Sequence, residues 1–189
     1  FKKFGIECET IKRNINKPDG RSVGPNMEIR EVLRILEREE NRCHELEDVV
    51  ISMASRLFEM TGKSKKGEGK KLAQEILNSG KALEKFWEIA FAQGCIKKVT
   101  SHEIESASLT RDLLADRAGV VKMIDNIQLV SIARALGNPK IKEAGIYINK
   151  MPGESFKKGE KLLTIYATTE SRLQKAIGFL EIDKIFKFS

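Results

Sequence analysis

The sequence predicts two successive units of different class, a mostly helical α/β segment followed by a small α+β unit. Three observations lead there. From residue 26 to about residue 93 the apolar residues recur at helical spacing, with a single strand-like stretch ahead of them. After about residue 110, short runs rich in β-branched and aromatic residues alternate with two helical stripes. The chain has 189 residues and 41% hydrophobic content, enough for one ordinary domain or two small ones.

In the first unit, residues 6–11 (IECETI) alternate in part and run into polar turn residues, which reads as a strand. The stretch KPDGRSVGPNMEIREV, residues 17–32, places Pro18, Gly20 and Gly24 at turn positions, and Pro25 stiffens the entry to a helix. Asn26 is the expected amino-terminal cap, and Ile29, Val32, Leu33 and Leu36 fall at i, i+3, i+4 and i+7. A second helix carries Leu46, Val49, Val50, Met53, Leu57 and Met60 until Gly62, and its two methionines are expected in the core. Leu72, Ala73, Ile76 and Leu77 make a short third helix that stops around Asn78-Ser79-Gly80. Leu83, Phe86, Trp87, Ala90 and Phe91 form a fourth, closed by Gly94. Four helices behind one strand have the pattern of a layer covering a larger α/β sheet. The other strands, and a longer polypeptide ahead of Phe1, are expected outside this chain.

In the second unit, residues 119–125 (GVVKMID) read as a strand. Leu129, Ile132, Ala133 and Leu136 follow as a helix ended by Gly137-Asn138-Pro139. Residues 144–149, 161–167 and 182–188 read as further strands, and Leu173, Ala176, Ile177 and Leu180 put a helix between the last two. The boundary is expected within residues 101–111, giving domains 1–105 and 106–189.

The formal charge of +7 favours anionic partners. Much of it sits in TGKSKKGEGKK, residues 61–71, where Lys63, Lys65, Lys66, Lys70 and Lys71 face a single Glu68. With neither aromatic residues nor arginines, this segment reads as a solvated loop rather than a nucleic-acid surface, so nucleic acid is not an expected partner. It is not a phosphate-binding P-loop either, because Glu68 stands where the lysine must be. Cys8, Cys43 and Cys95 are few, odd in number and far apart, which argues for a reducing compartment and a cytoplasmic location. Cys43-His44 lacks zinc-ligand spacing, and the cysteines and His102 are expected to be structural or superficial. The longest apolar runs, such as Val49-Val50-Ile51 and Leu162-Leu163, are far too short to cross a bilayer, and no membrane partner is expected.

Several stretches together carry a resemblance. NKPDGRSVGPNMEIREVLRIL and LNSGKALEKFWEIAFAQG resemble the later part of the catalytic domain in the thymidine and pyrimidine-nucleoside phosphorylase family. LLADRAGVVKMIDNIQLVSIARALGNPKIKEAGIYINKMPGESFKKGEKLLTIYA resembles that family's carboxy-terminal domain throughout, and the order of the pieces agrees. Gly24-Pro25 is closer to the archaeal AMP phosphorylase-like branch than to the bacterial Gly-Asn form. Lys17 and Asp19 depart from the family pattern, which has glutamine and a small apolar residue there.

The resemblance implies the helical end of an α/β catalytic domain followed by a small α/β-hammerhead-like carboxy-terminal domain. It implies a parent pentosyltransferase in which inorganic phosphate, as co-substrate, displaces the base of a nucleoside or nucleoside monophosphate, with no further cofactor. The family's phosphate loop and base-binding residues have no matching motif here, so no catalytic or substrate-binding residue is assigned and this chain alone is expected to be inactive. The implied role is to brace the catalytic domain or mediate assembly, and the full-length parent is expected to be a homo-oligomer. Some members bind a cation through backbone carbonyls of the loop before the first helix and a glutamate behind it. The matching side chain is Glu31, and this chemistry suits a hard cation.

MPGESFKKGEKLLTIYA also resembles the glycine turns of lipoyl- and biotin-carrier domains. Attachment needs a lysine at a hairpin tip, whereas Lys157 and Lys158 precede the glycine, and no Met-Lys-Met occurs. A freestanding carrier-like or interaction module whose basic loop binds an anionic partner is the alternative.

Overall fold

The computed structural model describes residues 1–13 and 15–189. After a 3-10 turn, Lys2–Phe4, comes an extended arm and then a two-residue strand, β1 (Ser22–Val23), which leads into α1 (Pro25–Leu36). Gly24 precedes the helix at φ 125°, a region that favours glycine, and Pro25 occupies the first helical position, where a missing N–H costs nothing. The Gly24 amide donates to Glu28 (2.9 Å), one turn into the helix. Asn26 is therefore not the cap. Its backbone N–H donates to the Lys142 carbonyl (3.1 Å) and its side chain to that of Glu105 (3.0 Å), tying the helix start to the second unit.

Helices α2 (His44–Met60), α3 (Gly69–Asn78) and α4 (Lys81–Ala92) follow. Gly69 lies against the Ser55 backbone, so any side chain there would push α3 away from α2. Ile35, Ile51, Ala73 and Leu77 form the buried centre of this helical unit, edged by Leu36, Leu46, Ala54 and Phe58. The apolar stripe of α2 is mostly outside it. Val50 and Leu57 stand open, and Met53, expected in the core, is 50% exposed.

The remaining elements are β2 (Leu109–Leu114), β3 (Gly119–Ile124), α5 (Asn126–Leu136), β4 (Gly145–Ile148), β5 (Ser155–Phe156), β6 (Lys161–Ala167), α6 (Glu170–Ile177), α7 (Ile182–Ile185) and β7 (Phe186–Phe188). They build a four-stranded sheet in the order β1-β4-β6-β2 and a three-stranded sheet in the order β5-β3-β7, with every pair antiparallel. A continuous core runs from α5 (Leu129, Ile132, Leu136) through β4 and β6 (Ile146, Ile148, Leu163, Ile165) to Ile185 and Phe186. Asp125 caps α5 by accepting from Ile127 N (2.8 Å) and Gln128 N (3.1 Å), and Gly137 closes it in the left-handed region. The result is a mixed α/β molecule with small antiparallel sheets and helices.

Two strand expectations are corrected. Residues 6–11 form no strand: Ile6 and Ile11 are about half exposed, and an extended segment without a neighbouring edge has nothing to pair with. The strand of this part of the chain is β1, and it pairs with the second unit, Ser22 opposite Tyr147 and Val23 opposite Ile146. The stretch 182–188 splits into α7 and β7. The Ile185 N–H donates to the Glu181 carbonyl (3.1 Å), closing a helical turn, so that only Phe186–Phe188 is left to pair with β3.

Candidate functional site

The loop before α1 closes on Glu31. Its carboxylate is buried and accepts the backbone N–H of Arg21 (3.0 Å) and of Ser22 (3.3 Å). Gly20 lies so near these oxygens that a side chain there would collide with them. From α2, Cys43 joins the surroundings. Burial pushes its thiol above the ordinary value, against the Leu46 amide, and the Glu31 charge adds to the rise.

Beyond Glu31 the loop becomes a strap between the two units. The Arg21 guanidinium pairs with Glu154 and donates to the Asn149 carbonyl (3.1 Å), and the Arg21 carbonyl accepts from Ile148 N (2.7 Å). Glu154 also accepts the Met151 N–H (2.8 Å). Burial alone would raise the Glu154 carboxyl, but Arg21 and the Met151 amide outweigh it and hold it below the usual carboxylate range. Asn16 accepts from Ile124 N (2.9 Å) and donates to the Lys122 carbonyl (3.3 Å). The two residues that depart from the family pattern are both engaged, Lys17 with Glu45 and Asp19 with Arg13 (2.6 Å).

Glu31 was the site residue expected from sequence, and the structure gives it backbone amide donors. A hard cation requires several oxygen ligands, commonly more than one carboxylate. Among the described residues no three His, Cys, Asp or Glu side chains come together as such a set. The cation reading at Glu31 draws instead on backbone carbonyls and on oxygens from outside this chain.

Arg21 and Glu154 carry no signal in the sequence, and Cys43 is marked there only as a structural or superficial cysteine. Glu154 lies 133 positions from Arg21, and no local spacing announces that pairing. The loop lysines Lys63, Lys65, Lys66, Lys70 and Lys71 are all exposed. Lys157 and Lys158 sit between β5 and β6, which belong to different sheets, so they do not form the hairpin tip a carrier domain needs.

Residues 120–183 match the sequence profile of the pyrimidine nucleoside phosphorylase C-terminal domain. The second unit contains that match, and the chain as a whole is similar to members of the pyrimidine-nucleoside phosphorylase family. The relatives it matches are AMP phosphorylases. It is 42% identical over 176 residues to an AMP phosphorylase of Methanosarcina barkeri, covering 93% of this chain and 35% of the relative. It is 42% identical over 166 residues to that of Methanocaldococcus jannaschii, covering 88% and 33%. It is 39% identical over 186 residues to AMP phosphorylase 2 of Archaeoglobus fulgidus, covering 98% and 36%. The chain thus spans about a third of the length of the curated relatives it matches.

Proposed function

We propose that this chain serves as the carboxy-terminal portion of a nucleoside monophosphate phosphorylase. Residues 1–105 end the catalytic domain, and residues 106–189 form an α/β-hammerhead-like domain that braces it. The observation that carries this reading is similarity to AMP phosphorylases over 93% of the chain but only about a third of theirs.

In the parent reaction a phosphate oxygen bonds to the anomeric carbon of the ribosyl group as the N-glycosidic bond breaks. The base leaves with the bonding electron pair and takes up a proton. The carbon passes through oxocarbenium character, so the pocket must hold an anion beside it and deliver a proton to the base. Those groups belong to sequence outside this chain. What this chain adds is the strap, which fixes the last domain on α1, and an apolar groove of about 320 Å³ between α1, α2 and α3, lined by Val32, Val50, Ile51, Phe58 and Ile76. The groove faces the remainder of the catalytic domain in this reading. Assembly of the parent as a homo-oligomer is part of the same proposal, as is a cytoplasmic setting, which the three free cysteines favour. Among the described residues no helix is long and apolar enough to cross a membrane.

The test is phosphate-dependent release of base. The full-length polypeptide is expected to liberate adenine from AMP only when phosphate is present, and this chain to liberate none. Turnover by a clean preparation of the chain alone would refute the assignment of the reactive pocket elsewhere.

A further inference from the structure

The outer face of the four-stranded sheet is defined by register. Gly145 pairs with Tyr166 and Tyr147 with Thr164, so Gly145, Tyr147, Thr164 and Tyr166 share one face. Helix α1 lies on it, since the Met27 sulfur occupies the space a side chain at Gly145 would need. Arg30 and Arg34 follow Met27 by three and seven positions, on the same side of the helix, and are neighbours at i, i+4. Both arginines and both tyrosines are half-buried.

Nearby carboxylates are already taken. Glu31 holds the loop amides, Asp112 binds Lys161 (2.8 Å) and Thr164 (2.7 Å), and Glu37 accepts the Ser101 amide (3.1 Å). Among the described residues neither Arg30 nor Arg34 makes an ion pair, and Arg34 Nε is buried without a hydrogen-bond partner. Burial, and then the neighbouring Arg34 charge, pushes the Arg30 guanidinium below its ordinary value, with both tyrosines close by. Two like charges one turn apart repel each other, and two planar guanidinium groups on a helix that lies on the face carrying two phenols offer the donors a tetrahedral oxyanion requires.

We propose that Arg30, Arg34, Tyr147 and Tyr166 form a binding site for a phosphate-class oxyanion on this face of the sheet. The ligand is free inorganic phosphate or the phosphate of a small phosphomonoester. This goes beyond the phosphorolysis reading, which takes no substrate contact from this chain.

The experiment is a titration of the chain, followed by amide and arginine-side-chain NMR, with inorganic phosphate, a sugar monophosphate and acetate in separate arms. Saturable shifts are expected at residues 27–34, 145–147 and 164–166 with phosphate or the sugar monophosphate, and the tighter arm identifies the source. Arg30→Gln with Arg34→Gln is expected to weaken binding by about tenfold or more, while Lys65→Gln with Lys66→Gln leaves it unchanged. Tyr166→Phe, which removes only a hydroxyl, provides a second variant should the arginine pair prove necessary for folding, and it is expected to weaken binding severalfold. Absence of saturable shifts, shifts confined to the lysine loop, acetate binding as tight as phosphate, or equal binding by wild type, the double arginine variant and Tyr166→Phe would each overturn the site.

Discussion

At Glu31 a helix side chain takes two hydrogen bonds that the loop before it cannot satisfy internally, and the approach is so tight that only glycine fits at position 20. Replacement by glutamine keeps the shape but turns one acceptor oxygen into a donor facing an N–H group. Glu31→Gln is expected to cost about 1–3 kcal/mol of stability in urea unfolding, the range for leaving a buried group without its partner. The same variant tests cation ligation in the full-length polypeptide, where oxygens from outside this chain can complete a cage. Calorimetric titration with calcium or potassium should separate wild type from Glu31→Gln if Glu31 is a ligand, and equal binding ends that reading. Position 31 was marked from sequence only through the family resemblance, as a cation ligand, and not as an acceptor for loop amides. Its partners were not marked: two are backbone amides, and the arginine that carries one of them reaches a carboxylate 133 residues away.

Among the elements, β1 shows how two residues join two units. It adds to the edge of β4, and α1 leaves it at once to pass over Gly145. A methyl group at Gly145 would meet the Val23 carbonyl and the Met27 sulfur. Gly145→Ala is expected to destabilise the chain by about 1–3 kcal/mol, as overpacking does, and to speed amide exchange along residues 20–24. Unchanged exchange there would show that β1 is not held by this contact. Helices α1 to α6 and strands β3, β4 and β6 were legible because their apolar periods are strong, whereas β2, whose residues are all exposed or only half-buried, was not expected. Residues 6–11 misled because alternation records only a chemical preference for one buried face, and in this chain no neighbouring strand offers that face. The α7–β7 switch was hidden for the opposite reason, since Ile185 and Phe186 both find the core only after a turn that leaves no periodic trace.

Across the whole molecule, burial is uneven. The second unit has an extensive continuous core, whereas a cluster of four buried side chains centres the helical unit and much of its α2 stripe remains open. Exposed apolar residues in a row are the mark of a surface that meets something. Met53→Lys with Leu57→Glu is expected to leave the urea midpoint within about 0.5 kcal/mol of wild type, because neither side chain is buried, and to lower binding of a hydrophobic dye. A large loss of stability instead would place these side chains in the chain's own core.

By itself the sequence determined the six longer helices, where β6 runs and the family resemblance. These follow from local period, turn chemistry and motif order, all of which act over a few residues. Tertiary structure alone decided that β1 pairs across to β4, that Arg21 meets Glu154, and that α1 lies on the sheet face that carries Tyr147 and Tyr166. Such contacts join residues far apart in the chain, and their free energy arises only when chain folding brings the surfaces together and excludes water from them.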